Sequence, residues 1–188
     1  MTLQFQHNWE RALVAATIAE ATKACPECKI GRTAIQKLVY FMQVLGVPMR
    51  YNFEIYHFGP FCSDITSDLD WLMADEIVVN DSLSDDKYNY RTTTSGYDKL
   101  AKTFPTEFEQ HGKIISAVTK AFGDLSPSIL ELIATLDYSF RWVRACGGTG
   151  PWKHKTVDKF KSIKKEKFTT EQIDRWHDVL VKLALIEN

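Results

Sequence analysis

The stretch "FEIYHFGPFCSDITSDLDW", residues 53–71, decides how this chain is read. Just upstream and into it, Tyr51, Phe53 and Ile55 alternate with Asn52 and Glu54, the pattern of a short strand with one buried face. Gly59-Pro60 then marks a turn into a helix, since Pro is tolerated in the first helical turn. From Phe61 the apolar residues fall at positions 61, 65, 69, 72 and 73, one stripe of an α-helix running to Glu76. That stripe leaves Ser63, Ser67, Asp70, Trp71 and Ala74 pointing away from it. An outward Trp ringed by small and acidic residues suits a protein-binding face, because Trp is a common interface anchor. Packing of Trp71 on C-terminal helices is the equal alternative.

Upstream, residues 8–24 place Trp9, Leu13, Ala16 and Ile18 near a helical period, which reads as an amphipathic helix. Pro26 and Gly31 in "CPECKIG" end it. "RTAIQKLVYFMQVLG" sets Ile35, Leu38, Val39, Met42 and Leu45 on one face, with Gly46 and Pro48 as the stop. Downstream, "EIVVND" and "KYNYRTTT" flank "SLSDD", a hairpin signature, and Thr94 or Ser95 can cap a short helix to Phe104. The order helix, helix, strand, helix, hairpin is that of a winged-helix module with "SLSDDK" as its wing.

Residues 105–188 read as all helix. Segments begin at Pro105, at "SPSILELIATLDYSFRWVRA" with Ile129, Leu132, Ile133, Leu136 and Phe140 on one face, and at the Lys-rich "WKHKTVDKFKSIKKEK". A final segment, "TTEQIDRWHDVLVKLALIEN", opens with a capping box, Thr169 to Gln172, and is expected to bury Ile173, Trp176, Leu180 and Leu183. The expected fold is therefore mainly α with minor β: a winged-helix-like core with a short strand and a β-hairpin, plus a C-terminal helical bundle. Two subdomains, 1–104 and 105–188, or one domain sharing a core, fit a length of 188 residues.

Composition narrows the function. The net charge is -1, but residues 1–100 carry 9 basic against 13 acidic side chains and residues 101–188 carry 14 against 11. "MTLQFQHNWE" has no basic start and no apolar core, and no run approaches a membrane span, so a soluble cytoplasmic protein is expected. In that setting the four Cys are read as free thiols. Cys25 and Cys28 supply only half of a zinc set, so neither a metal nor a cofactor is expected. "GGTGPWK" departs from a phosphate-binding loop and reads as a connector. No nucleophile elbow or carboxylate pair stands out, and the five His are scattered. His57, where strand meets turn, reads as a hydrogen-bonded structural histidine. The expectation is a protein without catalytic residues.

Charge also argues against the usual winged-helix docking on DNA, which places Arg, Lys, Asn or Gln of one helix in the major groove. The helix in that position carries Asp64, Asp68, Asp70, Asp75 and Glu76 and no Lys or Arg. The wing adds Asp81, Asp85 and Asp86 against Lys87. Facing such carboxylates with phosphates costs roughly several kcal/mol. The basic alternative is Lys153, Lys155, Lys159, Lys161, Lys164, Lys165 and Lys167, interleaved with Trp152 and Phe160, which suits contact with a phosphate backbone.

Three stretches carry a family resemblance. "GRTAIQKLVYFMQVLG" and "YHFGPFCSDITSDLDWLMADEIV" together resemble the SocA-like, or Panacea, antitoxin domain family. "SILELIATLDY" followed by the Lys-rich segment and a terminal amphipathic helix is similar to its relatives, the YwgA-like bacterial proteins. The likeness spans roughly residues 31–186, and its most specific element is Gly59-Pro60 between aromatics after Gln36-Lys37-Leu38. It implies a small helical fold with a winged-helix-like core, no catalytic machinery, and neutralisation of a toxin by direct binding or by delivery to a protease. The positions it implicates are Gln36, Lys37, Tyr40, Phe58, Gly59, Pro60, Phe61 and Ser63. Together with the outward helix face, the expected protein-binding residues are Tyr56, Phe58, Gly59, Pro60, Phe61, Ser63, Asp64, Ser67, Asp68, Asp70 and Trp71. The expected partner is a cognate protein such as a toxin encoded nearby, with DNA regulation through the Lys-rich segment as the alternative.

Overall fold

Helix-forming periods broken by Pro and Gly produce twelve elements in the computed structural model, which describes residues 7–83 and 88–188. In chain order they are α1 (Trp9–Ala24), α2 (Arg32–Val44), β1 (Glu54–Tyr56), β2 (Gly59–Phe61), α3 (Ser63–Ala74), β3 (Val78–Asn80), β4 (Tyr90–Thr92), α4 (Thr94–Thr103), α5 (Pro105–Phe122), α6 (Pro127–Ala145), α7 (Trp152–Lys164) and α8 (Thr170–Lys182). The chain is mainly helical with two small two-stranded sheets, as expected. It divides into two units. Unit 1 holds residues 1–53 and 61–126, and unit 2 holds residues 54–60 and 127–188.

In unit 1, Asn8 caps α1 by accepting the Arg11 backbone N–H at 2.9 Å. The helix is buried on every side from Ala12 to Ile18, so it is the central helix of the unit and not an amphipathic one. Its alanines allow α2, α3 and α5 to approach. On α2, Ile35, Leu38, Val39 and Met42 are buried as the period requires. Leu45 is 43% exposed, because the helix ends at Val44 and Gly46, at φ 91°, turns the chain. The hairpin signal yields β3 and β4, antiparallel with Val78 opposite Thr92 and Asn80 opposite Tyr90. Tyr90 also donates its N–H to Ile30 O at 2.8 Å, tying β4 to the connection between α1 and α2. The wing residues Asp85, Asp86 and Lys87 lie outside the described residues. Helix α4 has Thr93 at its N-cap in place of Thr94 or Ser95, and the Thr93 hydroxyl donates to Glu76 O instead of capping.

Helix α5 belongs to unit 1, so the boundary falls after Ser126 and not after Phe104. The reason is aromatic packing: Phe122 lies 4.7 Å from Phe41, and Phe108 meets Trp9 edge-on at 5.4 Å. The second departure is at Gly59-Pro60, which does not open a helix. The strand reverses at His57-Phe58, Gly59 takes φ 87°, and Gly59–Phe61 form β2 against β1. Glycine meets the positive φ without a Cβ clash, and Pro is compatible with an edge strand.

Unit 2 is built on α6, whose residues from Leu130 to Asp137 are all buried. The capping box of α8 is formed in full by Thr169 and Gln172. Its buried stripe is Ile173, His177 and Leu180, whereas Trp176 is half-buried and Leu183 is 47% exposed. The helix stops at Lys182 and Ala184 takes φ 54°, which turns Leu185 and Ile186 inward in place of Leu183.

Candidate protein-binding face

The entry to α3 is held by an amide clamp. Gln36 donates from Nε2 to Cys62 O at 2.8 Å and accepts the Cys62 N–H at 2.9 Å, so both backbone groups of the N-cap residue are satisfied by one buried side chain. Lys37 and Tyr40, also implicated by the resemblance, are buried beside it in sequence at 1% and 5% exposure. These three positions build the fold. From Ser63 onward, Ile65, Leu69 and Leu72 go inward, while Ser63, Asp64, Ser67, Asp70, Trp71 and Ala74 are exposed. Trp71 is 41% exposed, and the Arg11 guanidinium lies 5.0 Å from its ring centroid. Asp70 stands 4.0 Å from Arg32, whose guanidinium covers the Tyr88 ring at 4.0 Å.

Asp68 does not belong to that outer face. It is 8% exposed and accepts from Arg11 Nε at 2.9 Å and from the Tyr51 hydroxyl at 2.8 Å. Its position on the helix places it between the apolar stripe and α1, so it is a structural carboxylate. Burial and the neighbouring Asp68 charge push the Tyr51 hydroxyl far above its ordinary value, so it stays protonated and donates.

Between the start of α1, the segment 48–51 and α3 lies an open cleft of about 940 Å³. Trp9, Pro48, Met49 and Trp71 supply its apolar wall, and Glu10, Asp64 and Glu107 its rim. Trp9 is fixed in place by donating Nε1–H to Pro48 O at 2.9 Å. Sequence reasoning missed Trp9, Glu10, Arg11 and Glu107, because nothing local connects them to α3.

Of the remaining expected residues, Tyr56, Phe58, Gly59 and Pro60 lie in unit 2, and Phe61 lies half-buried in unit 1. Tyr56 and Phe58 are 59% and 58% exposed, while Gly59 and Pro60 are buried. The hairpin turn is held from behind by Lys164, which donates to His57 O at 2.9 Å and pairs with Glu131 at 2.8 Å. Lys167 donates to both oxygens of Glu131, at 2.8 and 2.9 Å, and reaches over the Phe58 ring. The His57 side chain is exposed, with the Tyr56 ring against it. Its backbone carbonyl, and not the expected imidazole, makes the structural bond.

The Lys-rich segment proves to be largely engaged within unit 2. Lys153 binds Asp174 and Asp178, which hold its ammonium above the ordinary value, with Asp178 the stronger influence. Lys155 donates to Thr149 O, and Lys159 stacks on Trp142 at 3.8 Å. With Lys164 and Lys167 on Glu131, only Lys161 and Lys165 of the seven have no such contact among the described residues. A row of seven cations facing a phosphate backbone is therefore not what the fold presents.

One further expectation changes. Cys25 and Cys28 form a disulfide and are not free thiols, since the turn at Pro26 brings their Cα atoms to 5.3 Å. Cys62 is free and buried, and Cys146 free and exposed. Among the described residues no group of three or more His, Cys, Asp or Glu is arranged to hold a metal ion. No helix among them is long and apolar enough to cross a membrane. No family model matches the chain, and no curated protein matches it.

Proposed function

We propose that this chain is a protein-binding module that acts in the antitoxin manner, masking a basic surface of a cognate cytoplasmic partner by direct contact. The observation that carries this reading is Trp71, 41% exposed on a helix with exposed Asp64 and Asp70 and no Lys or Arg of its own. A half-exposed Trp on a cleft wall is the kind of group that dominates binding energy when a partner desolvates it. Surrounding carboxylates favour a basic partner over nucleic acid through charge complementarity. The exposed Tyr56 and Phe58 supply a second aromatic contact area in unit 2.

The test is co-expression with each product of the adjacent genes, reading growth and co-purification. A neighbour that is toxic alone and harmless when bound supports the reading. Trp71→Ala and Asp64→Lys are expected to weaken that complex by more than about tenfold, the scale of a lost anchor or reversed charge. Unchanged binding in both variants removes the α3 face from the proposal.

A further inference from the structure

The cleft beside α3 holds charges that the fold itself does not neutralise. Asp68 is satisfied by Arg11 and Tyr51, so it is not available to a ligand. Glu10, Asp64 and Glu107 remain on the cleft lining with no ion-pair partner among the described residues, and Arg50 is the one cation of the lining not already paired. Three carboxylates against one guanidinium leave the opening acidic. The same three are not clustered closely enough to form a metal-ligand group. A small divalent ion needs convergent oxygens, whereas an extended organic cation spreads its donors over several ångströms.

We propose that this cleft is a recognition pocket for an arginine side chain projected by the partner protein. The inference deepens the protein-binding reading and rests on it. Arginine suits the lining better than lysine for two reasons. Its planar fork donates to separated carboxylates in defined directions, and its weakly hydrated face stacks on aromatic and apolar walls. Trp71, Trp9, Pro48 and Met49 provide such walls. Arg11 already displays the same chemistry within the chain, with its guanidinium 5.0 Å from the Trp71 centroid while Nε donates to Asp68. A partner arginine would repeat that arrangement on the open side of the cleft, with Asp64 and Glu10 or Glu107 as acceptors.

Fluorescently labelled hexa-arginine, hexa-lysine and hexa-glutamate peptides titrated into the full chain, read by anisotropy, test this. Hexa-arginine is expected to bind more tightly than hexa-lysine, and hexa-glutamate not to bind. The triple variant Glu10→Gln, Asp64→Asn, Glu107→Gln is expected to lose at least about tenfold in affinity for hexa-arginine, the size of a lost charge-assisted contact. A charge-matched control, Glu27→Gln, Glu109→Gln, Asp124→Asn, changes three carboxylates outside the cleft lining and is expected to lose much less. Equal losses in the two triples, or no binding of hexa-arginine to the unaltered chain, overturns the pocket. Circular dichroism of both triples separates lost binding from lost folding, and if the cleft triple unfolds, Asp64→Asn alone carries the same comparison. Should a neighbour-encoded partner still depend on Trp71 while hexa-arginine fails, the arginine pocket falls and the protein-binding reading stands.

Discussion

Asp68 shows how much one side chain's partners alter its meaning. Two donors at 2.9 and 2.8 Å hold it, and one of them, Arg11, is also the cation over Trp71. Asp68→Ala leaves a partly buried guanidinium and hydroxyl without their acceptor, and is expected to destabilise unit 1 by about 3 kcal/mol in urea unfolding. Loss of less than a third of that would show the pair to be dispensable. His177 makes the opposite kind of demand. It is fully buried on α8, neither ring nitrogen has a hydrogen-bond partner among the described residues, and burial pushes its pKa down from the ordinary value of 6.5. Lys153 adds to that lowering, and Asp178, 3.8 Å away, opposes it together with Asp174. The unfolded chain thus binds this proton more readily than the folded one. Its contribution is present in full above about pH 6.5 and is lost as pH falls from there toward the lowered folded value. The stability difference between about pH 7.5 and about pH 5 is expected to be smaller in His177→Leu than in the unaltered chain. An identical difference in both would remove His177 from the acid response.

At the scale of the element, α3 is a helix whose two sides have separate duties. Ile65, Asp68, Leu69 and Leu72 attach it to unit 1, and Ser63, Asp64, Ser67, Asp70 and Trp71 face outward. Outward substitutions away from special features usually change stability by under about 0.5 kcal/mol. Asp64→Lys is therefore expected to melt within a few degrees of the unaltered chain. Trp71→Ala loses the Arg11 contact as well, so a modest drop accompanies its larger effect on binding. Melting curves for both variants decide whether a binding loss is local. The period of this helix was legible in the sequence, because burial every three to four residues is a local pattern. The inward turn of Asp68 was not, since a carboxylate on the edge of an apolar stripe reads as surface until a buried cation faces it. For β1 and β2, Gly59-Pro60 read as the entry to a helix, whereas the chain reverses just before it, at His57-Phe58. Its use as an edge strand depended on pairing with β1 and on the Lys164 bond behind the turn.

Across the whole molecule, the acidic and basic halves read from composition have different fates. The acidic residues of α3 largely remain on the surface, while most cations of the Lys-rich segment are spent on Glu131, Asp174, Asp178, Trp142 and backbone carbonyls. Few phosphates can then be neutralised, and both affinity for DNA and its salt slope scale with that number. Duplex DNA is expected to show no mobility shift with this chain even at low ionic strength. A shift with a steep salt dependence would restore the Lys-rich segment as a nucleic-acid site.

The sequence by itself determined the mainly helical class, the number and approximate ends of the helices, the β3–β4 hairpin and the complete capping box at Thr169. Each depends on periods, caps and breakers within one or two turns of chain. Only the tertiary structure decided that Asp68 meets Arg11 across 57 positions, that Lys164 supports His57 across 107, and that the cleft gathers α1, residues 48–51, α3 and Glu107. Such contacts are selected by packing between distant segments, and the residues that make them carry no local mark of their partners.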